Sequence, residues 1–464
     1  MKGRTNRLGV HAAAIAGYLA LAAAMTYPLV RDFSSAIPGD SFDGWQNYWN
    51  LWWTKIALLV EHRSPFFSDM IYYPTGVDLH FHTLNILNGF WSLPIQLVWG
   101  LMVAYNAVVF LTFVLGGYGA FLLALYALRR AGMKADNGAA FVAGLIYAFS
   151  PFHFAHLLGH MQVISIEWLP FFILTFLLAV DRASDGKRWL LQGVAAGIFL
   201  AAIGLCNWYY LFYSMIFVSI ALAWEYALQR KAEALAAGAF SLFVGMLILS
   251  PLLVPMVLES LRYRFMVPDP AQSVRFSADL LAFFTPNEFH PIWGKPVLKW
   301  ANAHFTASLS EHMVFAGYTV LALAAIGLAK ARKSRRARSE AAFWGIITLT
   351  FFVFALGPVL HVTGRTKLLP GGWQIPMPYA LVYRLPIVRI SRSVSRFDVM
   401  VMLGLAVLAA MGLTYLVQSR SRRSWLYAFA SALILFEFLP VPYPVSPPDT
   451  PSWYFKLASE PGDF

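Results

Sequence analysis

Asp40 and Asp43 stand just past the first long apolar run, in the segment PGDSFDGWQNYWNLWW. Trp45, Tyr48, Trp49, Trp52 and Trp53 follow at mixed helical spacing. They predict a helix lying in the headgroup layer, where Trp and Tyr are favoured. A carboxylate held where a lipid headgroup meets water has the chemistry of a general base toward an acceptor hydroxyl. Asp43 equally suits the cap of the helix that follows. Far along the chain, YRLPIVRISRSVSRFD sets Arg384, Arg389, Arg392 and Arg396 at the mouth of another apolar run. Guanidinium forks there fit a phosphate group that gains negative charge as it leaves. Lipid headgroups, or an acid such as Asp398, would satisfy them too. Arg262 and Arg264 are weaker members of the same class.

His153, His156 and His160 recur at i, i+3, i+7, which is one face of a helix, and Glu167 opens the next apolar run. The set fits a divalent ion, the lining of an acceptor pocket, or plain polar lining at the interface. A break at Gly159 would move His160 off that face. Glu311, beside His312, reads as a second carboxylate facing the same way or as an acidic helix start. His80 and His82 in VDLHFHTLN offer site or headgroup contacts. Cys206 is the single cysteine. It excludes a disulfide framework and a cysteine zinc site and reads as a small packed residue.

The elements that position these groups follow from composition. Of the 464 residues, 59% are hydrophobic and 12% charged, against roughly 45–50% and 25% in soluble domains. Mean hydropathy is +0.60. A soluble fold of this size has too little interior to hide that much apolar side chain. A cytosolic enzyme, a disordered chain and a secreted domain are excluded, leaving an all-α integral membrane protein. Eleven stretches have the length of helical spans, near 8–29, 104–128, 139–157, 162–180, 189–206, 208–228, 234–258, 313–329, 341–361, 398–418 and 424–440.

A twelfth stretch, 84–103, has the right length as well, and charge decides its role. With the N-terminus inside and 84–103 lying in the outer leaflet, 20 of the 35 Lys and Arg fall in short inner loops, KARKSRRAR among them. If 84–103 crosses fully, only 15 do, so the positive-inside rule favours the first topology. Pro94 and Asn88 suit an interfacial or re-entrant helix. This placement also accounts for the net charge of +12 without nucleic acid as a partner. Lys2, Arg4 and Arg7 precede an uncleaved first span.

Residues 1–440 then form one transmembrane domain with outer loops 30–103, 259–312 and 362–397. The proline-rich stretch 439–451 cannot continue a helix, and 441–464 reads as an extracytoplasmic tail, the start of a soluble domain. Loops of such length usually carry the site, so the chemistry faces outward.

The order of a short first span, a long outer loop with an early Asp, an interfacial helix and a second span ending LLALYALRR resembles the GT-C membrane glycosyltransferases. More closely, it is similar to a set of bacterial polytopic proteins in that superfamily. The matching stretches are Asp43-Gly44-x-Gln46-Asn47-x-Trp49-Asn50-x-Trp52-Trp53, IYYPTGVDLHFHTLN, AYNAVVFLTFVLGGYGAFLLA, FSPFHFAHLLGHMQ with EWLP, NEFHPIWG and RLPIVRISRSVSRFD. The resemblance implies a GT-C-like fold in a bacterial cytoplasmic membrane. It implies sugar transfer from a polyprenyl-phosphate-linked donor to a glycan, lipid or protein acceptor on the outer face. The Asp of the first outer loop is the base or acceptor-positioning group in that superfamily. Asp43 is the matching position, with Asp40 as its alternate. Arg384, Arg389, Arg392 and Arg396 are then the donor-phosphate residues. His153, His156, His160, Glu167, Glu311, Asn47, Trp49 and Trp52 are the acceptor or pocket residues. A divalent ion, Mg or Mn, is compatible with this set but not demanded by it.

Two rivals come from other classes. A transporter or lipid flippase buries ionisable groups near the midplane and often carries repeats. Here Glu167, Glu225 and Glu437 lie toward span ends, although Pro251 and Pro255 interrupt one span. A non-catalytic scaffold of the same fold would tolerate loss of Asp43 and of the arginines.

Overall fold

The computed structural model describes residues 2–40, 42–229, 231–385, 388–418 and 424–460, and of residues 2–7, 42 and 229 the backbone alone. Of the basic residues that set the expected topology, Arg230, Arg420, Arg422 and Arg423 lie outside the described residues, as do the side chains of Lys2, Arg4 and Arg7.

The first apolar run forms α1 (Lys2–Met25), and the chain then turns into β1 (Ile37–Pro38) and α2 (Phe42–Lys55). A small hairpin, β2 (Phe67–Ser68) with β3 (Val77–Asp78), precedes α3 (Ile86–Trp99) and α4 (Leu101–Arg130). Next come α5 (Asn137–Ala148), α6 (Pro151–Leu157), α7 (Met161–Ile164), α8 (Trp168–Ser184), α9 (Leu190–Cys206), α10 (Trp208–Gln229) and α11 (Ala232–Arg262). Three short helices, α12 (Pro270–Arg275), α13 (Gly294–His304) and α14 (Leu309–His312), lead to α15 (Tyr318–Ala331) and α16 (Arg335–Ala355). The hairpin β4 (Lys367–Leu369) and β5 (Trp373–Gln374) and the turn α17 (Tyr379–Val382) lead to α18 (Asp398–Gln418), α19 (Trp425–Phe438), β6 (Val445–Ser446) and α20 (Ser452–Leu457).

Among the described residues, eight helical stretches are long and apolar enough to cross a membrane, and α9, α15 and α19 are shorter apolar helices. Together they fall on the eleven expected spans, and the chain is a multi-pass integral membrane protein. Sequence character sorts them by depth in the bundle. α18 is apolar on every side and is buried from Asp398 to Thr414, as such a helix must be. α11 leaves Phe243, Leu247, Val254, Val257 and Leu261 exposed, an apolar surface for lipid.

α3 is not among the helices long and apolar enough to be counted as spans. It starts where Asn88 bonds Ser165, just before α8, and turns at Gly100 directly into α4. α4 runs to Arg130, which pairs with Asp181 of α8 (3.2 Å), Glu225 of α10 and Glu340 of α16 (3.5 Å). Arg130 was expected only as part of an orientation signal. It is a half-buried tie among four helices, because one guanidinium presents enough donors for several carboxylates at once.

That tie marks one end of the bundle, and the loops that gather at the other end hold the candidate site. Two devices bind them there. The segment 42–86 has a core of its own, with Trp53, Ala57, Leu79, Leu84 and Ile86 at its centre. The tail folds back instead of departing. Ile37 pairs with Ser446 and Pro38 with Val445, antiparallel. Tyr443 Oη donates to the Phe154 carbonyl at 2.7 Å. The prolines do stop the helix after α19, but an extended strand needs only alternate donors, and Ser446 Oγ adds a bond to the Gly39 carbonyl at 2.9 Å.

Candidate functional site

Asp43 sits in the first turn of α2, and what aims it is Asn47. The Asn47 amide donates to the Asp43 carbonyl at 3.0 Å and to the Gly159 carbonyl at 2.7 Å, clamping the helix start to the loop between α6 and α7. The approach is backbone to backbone. A Cβ on Gly159 would come within 2.8 Å of the Gly44 nitrogen. Gly39, at φ +107°, brings the preceding turn against Leu158, a conformation only glycine takes readily. Asp40 follows on this turn, exposed, with its nitrogen 3.3 Å from the Leu158 carbonyl.

Across that contact Asp43 Oδ2 lies 3.2 Å from His160 Nε2, with the carboxylate 39% and the imidazole 20% exposed. The His160 hydrogen bond holds the Asp43 carboxyl below its ordinary value. Partial burial opposes this, and the charges of His160, Arg396 and Arg392 add to it. The arginines before α18 therefore lie near enough to the aspartate of the first loop for their charges to act on it.

Those arginines divide. Arg396 is buried and committed: its Nε and Nη2 donate to Glu311 Oε1 at 2.9 and 2.5 Å. Ser395 Oγ donates to the other oxygen, Oε2, at 2.6 Å. Burial alone would raise the Glu311 carboxyl, but Arg396 and Ser395 outweigh it and hold it below its usual value. The Arg396 guanidinium also stacks over Tyr209, 5.4 Å from the ring centroid. Arg392 is exposed, with its backbone nitrogen 3.3 Å from Tyr209 Oη. Arg384 and Arg389 are exposed as well. Among the described residues no carboxylate forms an ion pair with Arg384, Arg389 or Arg392.

The three histidines do not share one face. His153 is a core residue, its Nδ1 donating to the Ala148 carbonyl at 2.6 Å and its ring 4.1 Å from Phe113. The helix stops at Leu157, so His160 follows a bend at Gly159 and reaches His156 only at 3.4 Å between Nδ1 atoms. Glu167, expected in an acceptor pocket, is fully buried below the site. Trp49 and Trp52, expected at a lipid or sugar, pack half-buried into the core of segment 42–86, Trp49 stacked on Trp53 at 5.7 Å. An aromatic stripe on a short helix between two apolar elements is consumed by packing before it can serve a ligand.

Sequence reasoning gave no role to Tyr209, which carried no motif, or to Ser395, although Ser395 stands inside the stretch RLPIVRISRSVSRFD. Glu288 shares a hydrogen bond with His312 Nε2 at 3.0 Å, a buried pair beside Glu311, and burial raises the Glu288 carboxyl despite that partner. Adjacent residues of α14 thus each take a buried side-chain partner.

A divalent ion does not fit this arrangement. Among the described residues no group of three or more His, Cys, Asp and Glu is placed to hold a metal ion. Asp43 and Glu311 face His160 and Arg396.

Residues 90–437 match the family described as "Domain of unknown function (DUF6311)". No curated protein matches the chain. The fold is similar to that of the archaeal oligosaccharyltransferase AglB from Archaeoglobus fulgidus, solved with an inhibitory peptide and a dolichol-phosphate. The TM-score is 0.51 at 17% identity, over 97% of this chain and 58% of that one. It is also similar to the apo form of the Archaeoglobus fulgidus oligosaccharyltransferase, with a TM-score of 0.54 at 18% identity over 93% of this chain and 55% of that one. The chain therefore spans little more than half the length of these structures, and at such identity the likeness is one of fold.

Proposed function

The chain belongs to the DUF6311 family, and we propose that it is a membrane glycosyltransferase moving a sugar from a polyprenyl-phosphate-linked donor to an acceptor on the outer face of a bacterial cytoplasmic membrane. The observation that carries this reading is the convergence of an anionic Asp43 with exposed Arg392 at one mouth of the bundle. The fold likeness to a protein whose structure contains a dolichol-phosphate supports the donor class.

In the proposed step an acceptor hydroxyl oxygen bonds the anomeric carbon as the anomeric carbon–phosphate oxygen bond breaks, with inversion. The acceptor proton passes to Asp43, and the lipid phosphate leaves toward Arg392 and Arg389. Developing negative charge on the phosphate is stabilised by cations already in place. Arg396 acts from beneath: fixed by Glu311, it positions the 391–397 turn that presents Arg392. Asp43 sits below its ordinary pKa, so it is anionic across neutral pH and orients the acceptor hydroxyl before receiving its proton. Asp40, on the same turn, is the alternate carboxylate. No step is routed through a metal.

Native mass spectrometry of the purified chain tests the donor site. Co-purified polyprenyl phosphate or its sugar ester, lost in Arg392→Ala, is the expected result. Ordinary phospholipid alone, unchanged in the variant, overturns the reading in favour of a scaffold of the same fold.

A further inference from the structure

Below the mouth, between α7 and α8, the chain unwinds over Ser165–Glu167 and gathers polar side chains from three elements. Asn85 and Asn88, at the start of α3, both donate to Ser165 Oγ, at 3.2 and 2.8 Å. Ser165 gives its own hydrogen to the Met161 carbonyl at 2.9 Å. Turning either amide over would set oxygen against oxygen, so the hydrogen-bond pattern fixes both carbonyls away from Ser165. Cys206 at the end of α9 lies within reach of Ser165 and Trp168 and feels Glu167.

Among the buried polar atoms of these and the adjoining residues, unpartnered acceptors outnumber unpartnered donors. Asn85 Oδ1, Asn88 Oδ1, Gln162 Oε1 and both carboxylate oxygens of Glu167 are buried without a hydrogen-bond partner among the described residues. Against them stands one unpartnered donor, the Trp168 indole N–H. Each of these side chains is more than nine-tenths buried. Glu167 makes no cap bond to α8, and Pro170 withholds a donor from that helix start. An uncompensated buried carboxylate costs far more than a buried amide, and no cationic side chain pairs with it among the described residues.

We infer that the Ser165–Glu167 break, with Asn85, Asn88 and Gln162, is a binding site for one monovalent metal cation of sodium size. The ligands are all hard oxygens, which suit an alkali or alkaline-earth ion. With Glu167 ionised they bring a single negative charge, so a monovalent ion leaves the buried site neutral where a divalent one leaves a net charge in low dielectric. Broken helices in membrane proteins place such oxygens around cations for the same reason. The ion ties α3 to the α7–α8 break, one short helix on from His160. This inference does not depend on glycosyl transfer.

The test is thermal unfolding of the purified full chain in choline, sodium, potassium, lithium and magnesium chlorides at matched ionic strength. The expected result is a saturable rise in melting temperature with sodium over choline, as binding to the native state alone requires. That rise is absent in Glu167→Gln and kept in Glu311→Gln. Equal melting of the wild-type chain in every salt overturns the proposal and leaves ordered water as the partner of these oxygens. A rise with magnesium alone, or one that persists in Glu167→Gln, also overturns it. If Glu167→Gln does not fold, the wild-type sodium titration decides by itself.

Discussion

Glu311 accepts both Nε and Nη2 of Arg396, so the last arginine before α18 is spent on a carboxylate from α14 while Arg392, one turn earlier, is left for the mouth. Both partners are buried. Removing one leaves an unpaired charge in place, which costs about 3–5 kcal/mol. Glu311→Ala is therefore expected to lower thermal stability strongly. The double variant Glu311→Leu with Arg396→Met is expected to recover most of it, because the charge goes with its partner. Melting curves of the two check this, and a double variant as unstable as the single contradicts it.

The same pair predicts an acid limb of stability. The folded-state Glu311 carboxyl lies below its reference value of 4.5. Its contribution is complete above pH 4.5 and is lost as pH falls through the lower folded value. Wild-type melting is expected to drop more steeply than that of Glu311→Gln on acidification below about pH 4.5. Parallel curves would show that other carboxylates govern acid unfolding.

His160 sets the ionisation of Asp43, since its hydrogen bond is the largest influence lowering that carboxyl. His160→Gln is expected to let Asp43 rise toward 3.8, its reference value. The acid limb of transfer activity then moves to higher pH, because only the anion receives the acceptor proton. A limb that does not move would separate His160 from Asp43.

Tyr443 carries the tail's bond to Phe154. Tyr443→Phe is expected to cost about 0.5–1.5 kcal/mol, the net worth of one such bond, read as a modest fall in melting temperature. A loss several-fold larger would mean that the strand pairing of β1 and β6 fails with it.

The span count was legible because apolar length is a local property of the chain. Asp43 and Arg392 are candidates for the same local reason, each sitting just outside such a run. What joined them was not local. Glu311 and Arg396 are 85 positions apart, and Ser446 meets Gly39 across 407. No spacing rule reaches that far. The histidine face failed for a backbone reason: a bend at Gly159 ends the helical register, and the same bend lets His160 turn to Asp43. Trp49 and Trp52 carried the right residue types for a ligand surface, but the short segment 42–86 needed them for its own core. The full burial of Glu167 was not legible, because it depends on elements far apart in the chain.

The most direct measurement is transfer of label from polyprenyl-phosphate-linked sugars to acceptors in membranes containing the wild-type chain or Asp43→Asn. The substitution keeps the shape and removes the proton acceptor, so transfer is expected to fall about 100-fold or more, with the protein still folded and inserted. Equal transfer by the two, or label moved by neither, would contradict glycosyl transfer at Asp43.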